Sequence, residues 1–189
     1  MEEQNNLVRR MKAAETMGNA NEICTDKTGT LTENKMTVME AYYLDKIAQG
    51  TSNGTLPNST ISDLLRDSIC YNSSAFIETL ETGEKKTRGN VTEVGIINYL
   101  KNSGLEVEEH IKDRDLNLET IFTLPFSSAR KRSTNVIRHP QQAGMIRVFV
   151  KGAPDMVMEL CTKIVLEDGE AHELTQDKKD EILKTRVIK

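Results

Sequence analysis

The chain has 189 residues and a formal net charge of −4 at pH 7, with 37% hydrophobic, 29% charged and 4% aromatic residues. This composition is that of a globular protein, and the length suits one domain or one domain with part of another. The charge excludes a general attraction to nucleic acid or to an anionic membrane, and no apolar stretch reaches the roughly 18 residues of a membrane span. Three cysteines without a CxxC pair favour reduced thiols in a cytosolic compartment over a disulfide framework or a zinc site.

The N-terminal part of the chain predicts a helix, two strands and a loop. Apolar residues near one face predict a helix over residues 5–17. A short buried strand is predicted over residues 22–25, and a second strand over residues 35–43, which are rich in residues that favour sheets. The loop at residues 49–59 contains Asn-Gly and Pro, and it is the candidate hinge or domain boundary.

The remaining chain mixes helices with antiparallel strands. Helices are predicted over residues 62–77, 92–102, 153–161 and 175–189. Strands are predicted over residues 118–124, 132–138 and 145–150, a charged hairpin or loop over 81–89, and a small hairpin near 164–169. This order predicts an α+β fold, in which an antiparallel sheet has flanking helices. The last predicted helix runs to the end of the chain with apolar residues on one face, and a natural domain rarely ends within such a helix. We therefore expect a truncated sequence.

Other candidate sites fail on their spacing. Asp113, Asp115 and Asn117 have the spacing that opens an EF-hand loop, but Leu118 stands at the sixth position, where glycine is required. We therefore predict a solvated charged turn for residues 113–117. No GxxxxGK[ST] segment is present, so an ATP site in this chain is not of the P-loop kind.

The segment ICTDKTGTLTEN, residues 23–34, places one carboxylate among small and hydroxyl residues. Backbone N–H groups in such a turn can form a concavity that binds an anion, and Lys27 adds a cation beside Asp26. A carboxylate next to a bound phosphate suits a nucleophile that forms an acyl-phosphate. The alternative is an ordinary capped turn, which is a poor explanation for the run of seven residues from Asp26 to Thr32.

The run DKTGTLT resembles the phosphorylation signature of the P-type cation-transporting ATPases. Further segments resemble elements of that family in the same chain order: TE at residues 92–93, PFSSARKRS at 125–133 and KGAPD at 151–155. The flanks of the signature, ETMGNA at residues 15–20 and NKMTV at 34–38, resemble the calcium-pumping branch of plasma-membrane type. The resemblance therefore extends over most of the chain.

The resemblance implies two domains and a phosphorylation site. Residues 1–38 would be the N-terminal part of a phosphorylation domain of haloacid-dehalogenase-like α/β type, and residues 39–189 a nucleotide-binding domain that is incomplete at its C-terminus. Asp26 would attack the γ-phosphate of ATP, and Lys27 would belong to the catalytic signature. Mg²⁺ would be bound by Asp26 and by the backbone carbonyl of Thr28.

In the nucleotide-binding domain, the resemblance implies that Phe126 stacks on adenine, Glu93 contacts the adenine side, and Lys151 lines the pocket. Lys131 is the favoured nucleotide contact in the basic run that follows Phe126. The residues themselves leave alternatives open: Phe126 as a core aromatic at a strand end, Lys151 as a surface lysine, and Glu93 as an acid in the first turn of a helix.

The implied function is that of a cytosolic catalytic fragment of an ATP-driven calcium pump in the plasma membrane or an internal membrane. Its partners would be ATP, Mg²⁺, calcium bound by a transmembrane part, and the rest of the pump, including the actuator domain, with no nucleic acid. We expect the isolated chain to be inactive. The alternative is a non-catalytic nucleotide-binding regulatory module. A small phosphatase is disfavoured because Thr28 stands where a second acid is needed.

Overall fold

The computed structural model describes residues 10–49, 59–140 and 142–187, without the side chains of Met11, Ser59 and Thr60. The chain divides into two compact units, Met1–Lys35 and Met36–Lys189. The assignment of residues 1–38 and 39–189 to two functional domains stays a prediction.

The Met1–Lys35 unit contains helix α1, Met11–Gly18, followed by extended chain and a turn at Lys27–Leu31. The helix overlaps the predicted one, whose first residues lie outside the described part. The buried strand predicted over residues 22–25 is wrong, because these residues are exposed and belong to no strand. Ile23 is 87% exposed. A strand needs a neighbouring ladder for its N–H and C=O groups, and the described residues of this unit provide none.

The Met36–Lys189 unit begins with a two-stranded hairpin. Strand β1, Glu40–Tyr43, pairs antiparallel with β2, Lys46–Gln49. Leu44 and Asp45 both have positive φ angles, of 53° and 60°, as a tight two-residue hairpin turn requires. The predicted strand over residues 35–43 is thus confirmed only at its end. Most of the candidate hinge at residues 49–59 lies outside the described residues.

Three helices surround the main core. They are α2, Ser59–Cys70; α3, Val91–Asn102; and α4, Glu108–Asn117. Between α2 and α3 lies a hairpin of β3, Phe76–Thr79, and β4, Lys85–Arg88. The core contains Ile97, Leu100 and Ile111, each at most 1% exposed. The predicted helix over residues 92–102 and the charged hairpin are confirmed.

Two predictions in this region need correction. The helix predicted over residues 62–77 is confirmed as far as Cys70, but its predicted last part is wrong, because α2 ends there and Phe76–Thr79 is a strand. The charged turn predicted over residues 113–117 is the last part of α4. There Asn117 Nδ2 donates to Asp113 Oδ1 at 2.7 Å, a pairing of residues four apart that is typical of a helix surface.

A three-stranded antiparallel sheet follows, with the order β5-β6-β7. Its strands are Thr120–Ser127, Arg132–Arg138 and Ile146–Gly152, close to the predicted ranges. Helix α5, Pro154–Leu160, and the hairpin of β8, Lys163–Val165, and β9, Ala171–Glu173, lead to α6, Gln176–Ile182. A wider helical turn, Leu183–Val187, continues α6.

The predicted α+β class is confirmed: small antiparallel sheets are flanked by helices. The haloacid-dehalogenase-like character of the N-terminal part stays a prediction. Among the described residues, no helix combines the length and the apolar character needed to cross a membrane.

Candidate functional site

A cavity of about 570 Å³ lies in the Met36–Lys189 unit. Its walls come from the chain that follows α2, from the start of α3, from the end of α4 and from all three strands of the β5-β6-β7 sheet. Glu93, Phe126 and Lys151 line it, so the structure brings together three of the residues predicted to bind nucleotide. Lys131, the fourth, does not line the cavity.

Glu93 is placed by the N-terminus of α3. Asn90 caps this helix, since its side chain accepts hydrogen bonds from Thr92 N at 3.0 Å and from Glu93 N at 3.4 Å. Gly89 precedes the cap with a φ of 133°, and a Cβ there would lie 2.9 Å from Ala75 Cα. The local sequence therefore holds Glu93 in the first helical turn, where a negative charge is favourable.

Lys151 lies near the end of β7 and forms an ion pair with Glu93. Its ammonium group donates to Glu93 Oε1 and to the backbone carbonyl of Asn72. The other carboxylate oxygen, Glu93 Oε2, accepts from Ser73 Oγ at 3.1 Å, from Ser74 Oγ at 2.8 Å and from Ser74 N at 2.9 Å. Both carboxylate oxygens are thus bound by the protein.

The pair is partly removed from solvent, with side-chain exposures of 16% for Glu93 and 43% for Lys151. Burial alone would raise the pKa of Glu93. The hydrogen bonds from Lys151 and Ser74 favour the charged carboxylate and hold the pKa of Glu93 below its ordinary value. At neutral pH the cavity therefore contains a fixed carboxylate beside a lysine.

Phe126 is 63% exposed, which excludes the alternative of a core aromatic. The register of β5 against β6 is irregular between Leu124 and Ser127, and such irregularities turn side chains away from their regular faces. Arg130 Nη2 donates to Pro125 O at 2.7 Å and fixes the backbone just before the ring. The ring is therefore available to a ligand in the cavity.

Lys131 lies in the turn between β5 and β6, with a positive φ of 49° and an exposed side chain. Its N–H donates to Ser127 O at 2.7 Å, and its carbonyl accepts from Ala153 N at 2.9 Å. Both of these hydrogen bonds are made by the backbone of Lys131 and not by its side chain.

The structure adds cavity residues that local sequence patterns missed. Thr123 Oγ1 donates to Asn135 Oδ1 at 2.9 Å, and Asn135 Nδ2 donates to Tyr71 O at 2.7 Å. Arg114 and the serines at 73 and 74 also line the cavity. These residues come from segments distant in the chain, so only the packing of α4 and the sheet against the end of α2 brings them together.

The predicted catalytic residues lie in the Met1–Lys35 unit. Asp26 Oδ1 accepts from Lys27 N at 2.7 Å, and Gly29 N donates to Thr32 Oγ1 at 3.1 Å. Gly29 has a φ of 79°, which turns the chain sharply after Thr28. All of these residues are exposed. The described residues contain no group of three or more His, Cys, Asp or Glu side chains placed to hold a metal ion.

Comparisons with known proteins agree with the resemblance seen in the sequence. A family model described as P-type ATPase, cytoplasmic domain N, matches residues 60–187. The plasma membrane calcium-transporting ATPase mca-1 of Caenorhabditis elegans is 37% identical over 97% of this chain and 15% of the relative. The plasma membrane calcium-transporting ATPase 2 of Oreochromis mossambicus is 38% identical over 97% of this chain and 17% of the relative.

A plant relative, calcium-transporting ATPase 5, plasma membrane-type, of Oryza sativa subsp. japonica, is 34% identical over 94% of this chain and 16% of the relative. The chain thus spans only 15–17% of the length of these relatives. The family model covers most of the Met36–Lys189 unit, including the residues that line the cavity. The chain therefore belongs to the P-type ATPase family, and residues 60–187 correspond to its cytoplasmic domain N.

Proposed function

We propose that this chain supplies the ATP site and the phosphoryl-accepting aspartate of an ATP-driven calcium pump. The observation that carries the proposal is the convergence of Glu93, Phe126 and Lys151 on one cavity. Its volume of about 570 Å³ lies within the range of roughly 300–1,000 Å³ that is usual for ligand pockets. Calcium and transport enter the proposal through the names of the relatives.

A nucleotide in the cavity can contact both an exposed aromatic ring and a charged pair of side chains. The exposed ring of Phe126 can stack on adenine. Lys151 uses two donors for Glu93 and Asn72. An ammonium has three donors, and none of the described residues accepts a hydrogen bond from the third. This donor can serve an anionic or carbonyl group of the ligand. Lys131, in the exposed β5–β6 turn, is the proposed contact to the phosphates.

Asp26 is the proposed acceptor of the phosphoryl group. A carboxylate oxygen of Asp26 would bond to the γ-phosphorus of ATP while the bond from that phosphorus to the β,γ-bridging oxygen breaks, which leaves aspartyl-phosphate and ADP. The ammonium of Lys27 would supply positive charge to the phosphate, and N–H groups of the turn at Lys27–Leu31 other than those of Lys27 and Gly29 would supply hydrogen bonds. Thr28 cannot act as the acid or base of a phosphatase, so a slowly hydrolysed phosphoenzyme is expected.

Mg²⁺ is the cofactor that this chemistry implies. The carboxylate of Asp26 and the backbone carbonyl of Thr28 are oxygen donors of the kind that Mg²⁺ prefers, and both residues are exposed, which leaves room for phosphate and water oxygens. Bound there, the ion would neutralise charge on the transferring phosphoryl group.

The proposed parent protein lies in the plasma membrane, with this segment facing the cytosol. The names of the relatives favour the plasma membrane over an internal membrane. The remaining proposed partners are calcium, a transmembrane part and an actuator domain.

A second candidate function is a regulatory module that binds nucleotide without catalysis. It is favoured by one observation: every residue that lines the cavity belongs to the Met36–Lys189 unit. Binding therefore does not require Asp26. To separate the candidates, residues 10–187 would replace the matching segment of a full-length calcium pump. Calcium uptake by the chimera that is lost on Asp26→Asn supports the pump, whereas a folded chimera that binds ATP without calcium uptake supports the module.

Calorimetric titration of the chain with ATP tests the nucleotide site itself. Phe126→Ala is expected to weaken ATP binding by about 5- to 150-fold, which corresponds to the roughly 1–3 kcal/mol of one stacked base. Phe122→Ala is the matched control, because Phe122 lies on the same strand, is 55% exposed and does not line the cavity. Equal losses in the two variants, or no binding by the wild-type chain, would contradict the proposed site.

A further inference from the structure

The chain from Cys70 to Ala75, here called segment 70–75, connects α2 to β3 and forms one wall of the cavity. Its backbone carbonyls are bound by side chains from three other elements. Arg114 donates to the carbonyls of residues 70, 73 and 75, Asn135 to that of residue 71, and Lys151 to that of residue 72. Tertiary contacts, not a regular helix or strand, therefore determine the conformation of this segment.

Arg114 makes most of these contacts. Its Nη1 donates to Cys70 O at 3.2 Å and to Ser73 O at 2.7 Å, and its Nη2 donates to Ala75 O at 2.8 Å. Its Nε and Nη2 also face Asp115 Oδ1, at 2.8 and 2.6 Å. A guanidinium has five N–H donors, and four of them make hydrogen bonds to these partners, three of which are carbonyls of segment 70–75. Arg114 lines the cavity, but most of its donors serve this segment and not a ligand.

The same segment holds the Glu93–Lys151 pair. Glu93 accepts hydrogen bonds from Ser73 Oγ, Ser74 N and Ser74 Oγ, and Lys151 donates to the carbonyl of Asn72. A shift of segment 70–75 would therefore move partners of both charged groups at once.

We propose that Arg114 is a positioning residue of the nucleotide site: it fixes segment 70–75 and thereby the Glu93–Lys151 pair. Helix α4 holds Arg114 in place, because Ile111 of that helix is buried in the main core and the Arg114 side chain is only 11% exposed. Lysine cannot substitute for it, since a compact ammonium lacks the planar fork that spans three carbonyls. The effect on nucleotide affinity rests on the proposed ATP site, whereas the effect on the pair does not.

The test compares wild-type chain with Arg114→Lys by two measurements. The first is labelling of Lys151 by an amine-reactive reagent without nucleotide, followed by peptide mass spectrometry. Labelling is expected to be several-fold faster in the variant, because the amine reacts when it is released from its hydrogen bonds. The second is ATP affinity by calorimetry, which is expected to fall about 3- to 10-fold. Arg88→Lys is the control, since Arg88 forms an exposed ion pair with Glu78 and does not line the cavity.

The two measurements separate the inference from the proposed function. Unchanged Lys151 labelling in folded Arg114→Lys overturns the positioning role, whatever the ATP affinity. Faster labelling together with no ATP binding by the wild-type chain supports the positioning role and contradicts the nucleotide site. If Arg114→Lys does not fold, Ser74→Ala decides. Ser74 is exposed and donates to Glu93 through its hydroxyl, so Lys151 labelling must rise in that variant for the inference to stand.

Discussion

The segment around Asp26 and the cavity around Glu93 differ in how far apart in the chain their contacting residues lie. Residues 20–35 are exposed, and their described polar contacts join near neighbours, such as Asp26 with Lys27 and Gly29 with Thr32. The Glu93–Lys151 pair joins residues 58 positions apart, and segment 70–75 ties it to α4 and to the sheet. The Asp26 segment can therefore be recognised from the order of its residues alone. The cavity forms only when distant parts of the chain pack together.

This difference predicts where substitutions act. A change in the Asp26 segment should affect the phosphoryl transfer proposed for the full-length pump and leave the stability of this chain nearly unaltered, because few contacts depend on this segment. A change in the core or walls of the Met36–Lys189 unit should affect stability and ligand binding together. Matched substitutions in the two units therefore test the comparison.

The largest expected difference is between two leucines. Leu100 is fully buried in the main core, whereas Leu31 in the signature is 70% exposed. Leu100→Ala should lower the free energy of unfolding by about 2–5 kcal/mol, since it removes packed methyl groups and leaves a cavity. Leu31→Ala should change it by no more than about 0.5 kcal/mol. Urea unfolding measures both, and a comparable loss in the two variants would show that the Asp26 segment is also packed in solution.

A smaller difference is expected between two glycines. A Cβ at Gly152 would lie 2.4 Å from Lys131 O and 2.7 Å from Arg132 Cα, whereas a Cβ at Gly18 meets nothing within 4 Å. Gly152→Ala should therefore destabilise the chain by about 1–3 kcal/mol through overpacking. It should also weaken ATP binding, because a shift of the backbone at residue 152 would displace the preceding residue, Lys151, which lines the cavity.

Gly18→Ala is the control for this prediction. It should leave the thermal midpoint unchanged or raise it slightly, because alanine favours helix at the end of α1. A normal midpoint and normal ATP affinity in Gly152→Ala would mean that the β5–β6 turn and β7 do not approach each other as closely as described.

Much of the Met36–Lys189 unit could be predicted from its sequence. Residue patterns indicated helix α3, which buries Ile97 and Leu100, and also the strands of the β5-β6-β7 sheet, although β5 is exposed along almost its whole length. Helix α4 was missed because Glu108–Asn117 is mostly charged and Ile111 is its one fully buried side chain among the described residues. The strand predicted over residues 22–25 failed because a β pattern does not supply a partner strand.

Sequence motifs also indicated Glu93, Phe126 and Lys151, and the structure places these three at one cavity. Segment 70–75 could not be predicted, because its conformation depends on Arg114, Asn135 and Lys151, which lie far away in the chain. The role of Lys131 stays a prediction, as do those of Asp26, Lys27 and Thr28.

The smallest expected effect concerns pH. The pKa of Glu93 is held below its ordinary value of 4.5. Its ionised form therefore stabilises the fold above that ordinary value, and this contribution is lost as the pH falls through the lower pKa of the folded state. As the pH falls from about 5 into the acid range, the Glu93→Gln variant should lose less stability than the wild-type chain does. Urea unfolding at several pH values measures the slopes, and equal slopes in both proteins would contradict the described hydrogen bonds.

The most direct test of the account is an NMR titration of the chain with ATP, with shifts assigned residue by residue. We expect the largest shift changes at Phe126, Glu93, Lys151 and segment 70–75, and small changes at residues 20–35. Largest changes at residues 20–35, or no saturable change at the cavity residues, would contradict the claim that the Met36–Lys189 unit contains the nucleotide site.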